Sequence, residues 1–294
     1  MPRAVVVGAG AMGPEIAAAL AATGTTVALA GRDRARTGDA VVRAGGYATA
    51  GADAITAAEL VPETFAEAAL VIETISEDLD AKRALYRTIE PWCPTDALIA
   101  TNTSSLRIGE LAEGLERPER FAGLHFLKPA HLTGVVEVIP GPRTGADALH
   151  VLVGLAEQMG KAPLVVRADE PGFIWNRIQF AVLRECLHML ELGIADAAAI
   201  DAAVSDGLAP RWVAAGPLAT ADLGGLATFA TVSAQLNPHL AANETVADEL
   251  VQRAAAGEPF APWTEFAGEA VGALRAQALR AGREIAATRR AIGG

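Results

Sequence analysis

Ala4-Val5-Val6-Val7-Gly8-Ala9-Gly10-Ala11-Met12-Gly13 is the stretch on which the architecture turns. An unbroken apolar run that stops at a glycine turn reads as a strand buried on both faces, since a half-exposed strand would alternate with polar residues. The segment 11–22 is rich in helix formers and closes on Thr23-Gly24, a C-cap signal. A second apolar run follows at 27–30. Strand, glycine turn, helix and strand in this order make a right-handed βαβ unit of a parallel sheet.

Outward from this unit, further apolar runs stand at 69–72, 98–100, 124–126, 135–139 and 164–166, alternating with helix-forming stretches such as 81–89 and 149–159. The pattern changes after Asp169-Glu170-Pro171. Beyond it Ile178, Leu183, Leu187 and Leu190 recur at helical spacing up to Gly193, and strand signals vanish. The expectation is an α/β chain: a Rossmann-type, doubly wound, mainly parallel sheet over 1–168, followed by an all-helical C-terminal domain over 169–294.

Composition excludes several function classes. The chain has 294 residues, 51% of them apolar, enough for two cores, and no apolar run has the length of a membrane span. The opening residues lack the charged, apolar and small-residue succession of a signal peptide, which predicts a soluble cytoplasmic protein. A net charge of −11 opposes nucleic acid and anionic membranes as partners. Cys93 and Cys186 are far apart and lack metal-ligand spacing, so neither a disulfide framework nor a metal site is expected. Lysine occurs only at Lys82, Lys128 and Lys161, which makes each placement worth reading.

Gly8, Gly10 and Gly13 form Gly-x-Gly-x-x-Gly between a strand and a helix. That spacing suits a dinucleotide: Gly8 permits the turn, Gly10 admits the pyrophosphate, Gly13 lets helix pack on strand, and Ala11 and Met12 lie where the helix N-terminus faces the phosphates. At the end of the second strand a carboxylate would bind the ribose 2′-hydroxyl of NAD. Here Gly31-Arg32 stands there, with Arg34 and Arg36 close behind. A guanidinium pairs with a 2′-phosphate, so NADP is favoured as cofactor. NAD remains the alternative should Asp33 serve the ribose.

Hydride transfer from an alcohol also needs a base for the hydroxyl proton, and imidazole suits that task. His125 ends one apolar run and Glu137 lies in the next, so adjacent strands would let the carboxylate orient the ring. Taken singly, a histidine in an apolar strand is usually a satisfied core residue. Ser104 and Asn102 also read as caps for a helix near Ile108, and Asn176 as a cap for one near Ile178.

The segments Asn102-Thr103-Ser104-Ser105, His125-Phe126 with Pro129, Val136-Glu137-Val138 and Pro171-Gly172-Phe173-Ile174 through Asn176-Arg177, in this order behind the glycine loop, resemble the L-3-hydroxyacyl-CoA dehydrogenase family over most of the chain. The resemblance implies that His125 is the acid/base, Glu137 its orienting partner, and Ser104 and Asn176 the holders of the reacting oxygen. Glu73, Glu77 and Lys82 would line the nicotinamide half, with Asn102 grouped among the cofactor residues. It further implies a 3-hydroxyacyl thioester substrate and a homodimer formed by the helical domain.

Departures from the family bear on the substrate. The segment 32–68 is shorter than the family's usual lysine-rich helical hairpin and contains no lysine, which removes an obvious partner for the phosphates of CoA. Lys128 stands where the family usually has asparagine and is a candidate substrate anchor. The family's C-terminal Thr-Gly-x-Gly-Phe-Tyr is replaced by the region 259–263. An acyl-CoA, an acyl group on a carrier protein and a free hydroxy acid all remain open. The β-hydroxyacid dehydrogenases require a lysine on the helix after Asn176, and that helix has none. The non-enzymatic alternative is a nucleotide-holding structural or sensor protein.

Overall fold

Alternation within the first strand sets up two layers of core. In β1 (Arg3–Val7), Val6 packs into one apolar cluster with Ile16, Leu20, Leu29 and Leu124, while Val5 and Val7 pack into another with Phe65, Tyr86 and Phe121. Successive side chains of a strand point to opposite faces, so an all-apolar strand requires cover on both sides. The computed structural model describes residues 3–260 and 268–293. Trp263, within the region that replaces the family's C-terminal signature, lies outside the described residues.

The chain continues through α1 (Met12–Ala21), β2 (Thr26–Gly31), α2 (Arg34–Tyr47), β3 (Ile55–Glu59), α3 (Pro62–Phe65), β4 (Ala68–Glu73), α4 (Leu79–Ile89), β5 (Leu98–Thr101), α5 (Ile108–Leu111), β6 (Phe121–Phe126), β7 (Val135–Pro140), α6 (Ala146–Gln158) and β8 (Ala162–Val165). The strands form one sheet in the order β3-β2-β1-β4-β5-β6-β7-β8. All neighbours are parallel except β6 and β7, which run antiparallel. The winding reverses between β1 and β4, the point of an open α/β sheet where a crevice forms at the carboxyl ends of the strands. β3 is not among the apolar runs of the sequence. It is one of the sheet's two edge strands, and most of its residues face solvent, so it carries no continuous hydrophobic signal.

Two compact units divide the chain, Met1–Arg177 and Ile178–Gly294. The first unit therefore extends beyond the last strand into α7 (Trp175–Glu191). The second holds helices and no strand among its described residues, with α8 (Ala197–Ala202), α9 (Ala209–Gly224), α10 (Leu226–Leu236), α11 (Asp248–Ala256) and α12 (Gly268–Gly293) following α7. Within α9, Gly216 takes a non-helical conformation ahead of Pro217, which lacks the N–H an uninterrupted helix would use. Among the described residues, Leu218 of α9 is 84% exposed, Leu223 82% and Leu226 of α10 63%. Among the described residues, no helix is long and apolar enough to cross a membrane.

Candidate active site

The glycine loop is built to receive an anion. Gly8 sits at φ +127°, and a Cβ there would lie 2.5 Å from the Thr74 hydroxyl, so only glycine fits. At Gly10 nothing lies within 4 Å of where a Cβ would be, which leaves open space beside the start of α1. Ala11, the N-cap of α1, offers no capping side chain to the N–H groups of the first turn, which begins at Met12. Unsatisfied donors at a helix start, next to open space, match the phosphates of a dinucleotide. The residues present thus fit the pyrophosphate of a dinucleotide cofactor.

β2 ends at Gly31, and Arg32 follows as an exposed residue. Asp33 is the N-cap of α2, its carboxylate accepting the Arg36 N–H at 3.0 Å. That bond engages Oδ1 alone, so Oδ2 can still serve the ribose of the NAD alternative.

At the end of β4 a second polar cluster is sunk into the sheet edge. Glu73 and Lys82 are 0% and 1% exposed, with Lys82 Nζ donating to Glu73 Oε1 at 2.7 Å. The Thr101 hydroxyl at 2.9 Å and the Tyr86 hydroxyl donate to Oε2, and the Ile75 N–H donates to Oε1 at 2.6 Å. Lys82 also lies 3.5 Å from Glu77 Oε2. Glu77 Oε1 in turn accepts from the Thr103 hydroxyl at 2.6 Å, the Ser104 N–H at 2.8 Å and the Ser105 N–H at 2.9 Å, with the Ser104 hydroxyl at 3.2 Å. Burial raises the Glu77 carboxyl, but the Thr103 hydroxyl, the Ser104 N–H, Lys82 and the Ser105 hydroxyl outweigh it and hold its pKa at about 2. An ionised Glu77 therefore clamps the loop that carries Ser104.

His125 and Glu137 are direct partners across the antiparallel β6–β7 pair. Opposed residues of such a pair bring their Cβ atoms within about 5.5 Å, close enough for a side-chain bond. His125 Nδ1 lies 2.6 Å from Glu137 Oε2, and both residues are buried. The other oxygen, Oε1, accepts the N–H groups of Ile174 at 2.8 Å and Trp175 at 2.9 Å. Burial pushes the Glu137 carboxyl up, yet the His125 bond and these two N–H bonds overcome it and leave the pKa lowered. A carboxylate accepts only, so His125 Nδ1 must donate, and the neutral ring keeps its Nε2 lone pair for a proton.

The Pro171-Gly172-Phe173 turn is what aims those two N–H groups. Gly172 takes φ +80° and Phe173 φ +50°, the left-handed region that a bulky side chain rarely enters. Phe173 is nearly fully buried, and its ring centroid lies 5.9 Å from that of His125. One turn further on, Asn176 Nδ2 donates to the Ser104 carbonyl at 3.0 Å.

Ser104, His125, Glu137 and Asn176 thus belong to one connected edge of the first unit, reached through Glu77 on one side and the Ile174 and Trp175 backbone on the other. The capping roles read from the sequence fall elsewhere. Asp169 caps α5 by accepting the Ile108 and Gly109 N–H groups at 2.7 Å each. Asn102 Oδ1 accepts the Phe126 N–H at 2.8 Å and ties the end of β5 to that of β6. Asn176 lies inside α7, not ahead of it. Lys128 is exposed on the β6–β7 connection, three residues after His125. Two features had no sequence signal: the backbone donors of Ile174 and Trp175, which carry no residue-type preference, and Arg43, which reaches the glycine loop from α2.

Known proteins place this geometry. The model of the 3-hydroxyacyl-CoA dehydrogenase NAD-binding domain matches residues 3–170, and the model of the same family's C-terminal domain matches 172–260. The 5-formyl-3-hydroxy-2-methylpyridine 4-carboxylate 5-dehydrogenase of Mesorhizobium japonicum is 33% identical over 95% of this chain and 96% of its own length. A crystal structure of a 5-dehydrogenase for the same pyridine carboxylate, described as an NAD+-dependent dismutase, matches with a TM-score of 0.86 at 31% identity over 97% of this chain and 98% of that one. A probable 3-hydroxybutyryl-CoA dehydrogenase of Bacillus subtilis is 37% identical over 58% of each chain. With both halves matched in sequence and the sheet edge built as described, the chain belongs to the 3-hydroxyacyl-CoA dehydrogenase family, nicotinamide-dinucleotide-dependent dehydrogenases that act on CH–OH groups.

Proposed function

We propose that this chain interconverts a hydroxyl and a carbonyl on a small carboxylate-bearing substrate, with NADP as the preferred cofactor. The single observation that carries the chemistry is the buried His125–Glu137 pair at 2.6 Å, whose carboxylate fixes the ring tautomer. When bound, the nicotinamide supplies or accepts the hydride. His125 Nε2 takes the hydroxyl proton in oxidation and returns it in reduction, while ionised Glu137 stabilises the imidazolium that forms. Ser104, held by Glu77, and Asn176, bonded to the Ser104 carbonyl, orient the reacting oxygen. Glu73 and Lys82 give this wall a rigid backing, because a buried, fully bonded pair resists movement toward solvent.

The substrate class rests on three supports. Between β2 and β4 the chain holds only α2, a short 3₁₀ turn, β3 and α3, in place of a lysine-rich hairpin suited to CoA. Lys128 puts an exposed positive residue on the β6–β7 connection, three residues after His125. The relative that matches over nearly the full length of both chains acts, by its name, on a pyridine carboxylate. The second reading, a 3-hydroxyacyl thioester carried by CoA or by a carrier protein, draws on the family itself and on the Bacillus relative. For the cofactor, the exposed Arg32 directly after β2 favours a 2′-phosphate. The exposed leucines of α9 and α10 suit a second copy of the chain, which would bury them in a symmetric homodimer.

These readings have direct tests. His125→Gln should lower turnover by about two orders of magnitude, the usual scale for a general acid/base, with dinucleotide affinity unchanged in fluorescence titration; wild-type turnover would remove His125 from the mechanism. Rates on a panel of small hydroxy and formyl carboxylates, acetoacetyl-CoA and its carrier-protein analogue should favour the carboxylates, and Lys128→Met should raise their KM about tenfold; faster turnover of the thioesters would establish the second reading instead. Arg32→Asp should move the preference from NADPH to NADH, and a ratio of kcat/KM that stays put would show that the 2′-phosphate is not read there. Equilibrium sedimentation should give a dimer that Leu218→Asp with Leu223→Asp dissociates; a wild-type monomer at micromolar concentration would refute the interface.

A further inference from the structure

Arg43 contacts the glycine loop although it lies 34 residues from Ala9 in sequence. From the C-terminal part of α2 its Nη2 donates to the carbonyls of Ala9 at 3.1 Å and Gly10 at 3.4 Å. The side chain is exposed, and among the described residues it forms no ion pair and no other hydrogen bond. Its remaining guanidinium donors are uncommitted, in a chain where Asp and Glu outnumber Lys and Arg by 35 to 24.

Groups on α1 and beside it raise the need for a cation there. Tyr47, one turn along the same face of α2, stacks on the His131 ring with centroids 4.6 Å apart. His131 Nδ1 faces Glu15 Oε2 at 3.6 Å, and Glu15 also accepts the Ala130 N–H. Glu15 is buried in the first turn of α1, the turn whose N–H groups would meet the phosphates. A carboxylate there opposes an incoming anion, and in the absence of a compensating charge it weakens the site. Arg43 supplies that charge from across the loop, beside the open space at Gly10.

We propose that Arg43 is a phosphate-binding residue of the dinucleotide site, anchored on the loop carbonyls through Nη2 and pairing its free donors with the pyrophosphate. The chemistry it recognises is the diphosphate bridge common to NAD and NADP. The 2′-phosphate, assigned above to Arg32, is a separate group. The inference rests on dinucleotide binding alone and is independent of the substrate.

Binding is the measurement. NADPH, NADH and ADP-ribose are titrated by calorimetry into wild type, Arg43→Ala, Arg43→Gln, Arg43→Lys and Arg32→Asp, with thermal melting recorded for each. Arg43→Ala and Arg43→Gln are expected to raise Kd about tenfold for all three ligands, with Arg43→Lys recovering part of the loss and Arg32→Asp weakening NADPH alone. Unchanged affinity in the Arg43 variants would overturn the proposal, as would a loss confined to NADPH, which would assign Arg43 to the 2′-phosphate. A loss seen only in Arg43→Ala together with a lowered melting temperature, while Arg43→Gln binds normally, would make the residue structural and equally overturn it. A wild-type chain that binds none of the three would overturn the dinucleotide reading itself, a failure distinct from these.

Discussion

A carboxylate with no exposure to solvent, Glu137, is the constraint around which the candidate site is arranged. Taking a carboxylate out of water costs several kcal/mol unless its oxygens are bonded, and removing one partner of such a buried pair typically costs about 3–5 kcal/mol. Each of its two oxygens is bonded: one to the His125 ring, the other to two consecutive backbone N–H groups. Satisfying it therefore dictates the ring tautomer on one side and the path of the chain into α7 on the other. The left-handed conformations at Gly172 and Phe173 follow from the same demand, since the chain must turn sharply to present two successive donors to one oxygen.

The opposite wall obeys the same logic with a different ion. Glu77 gathers the donors of Thr103, Ser104 and Ser105 and stays ionised because those bonds outweigh burial. Lys82 bridges it to Glu73, which Tyr86 and Thr101 brace from within the sheet. Both walls are thus polar networks whose members are bonded to one another, and such networks are rigid because any displacement leaves a charge unpaired. Asn176 connects the walls through the Ser104 carbonyl, so the geometry at one is passed to the other.

Electrostatics also explain how a strongly acidic chain presents a site for an anionic cofactor. Backbone N–H groups at an uncapped helix start supply positive potential, and glycine removes the side chains that would block approach. Arg32 follows β2, and Arg43 reaches the glycine loop from α2.

Much of this was legible in the residues. Runs apolar on both faces announced a covered parallel sheet, and the glycine spacing after the first run announced the loop, because both depend on local sterics and burial period that sequence carries directly. The edge strand β3 escaped because half-exposure at the margin of a sheet erases that period. Placing His125 and Glu137 on successive strands was also within reach, yet their exact opposition required an antiparallel register that no residue pattern states. Ser104, Asn102 and Asn176 looked like helix caps, and the structure gives the cap of α5 to Asp169, sixty residues away from the N–H of Gly109 it accepts. Residue types and their spacing settled the sheet, the glycine loop and the inventory of ionisable groups. Only the tertiary structure decided which donors meet Glu137 and Glu77 and that Arg43 reaches Gly10, because those partners are set by long-range packing and by backbone N–H groups, which every residue but proline shares.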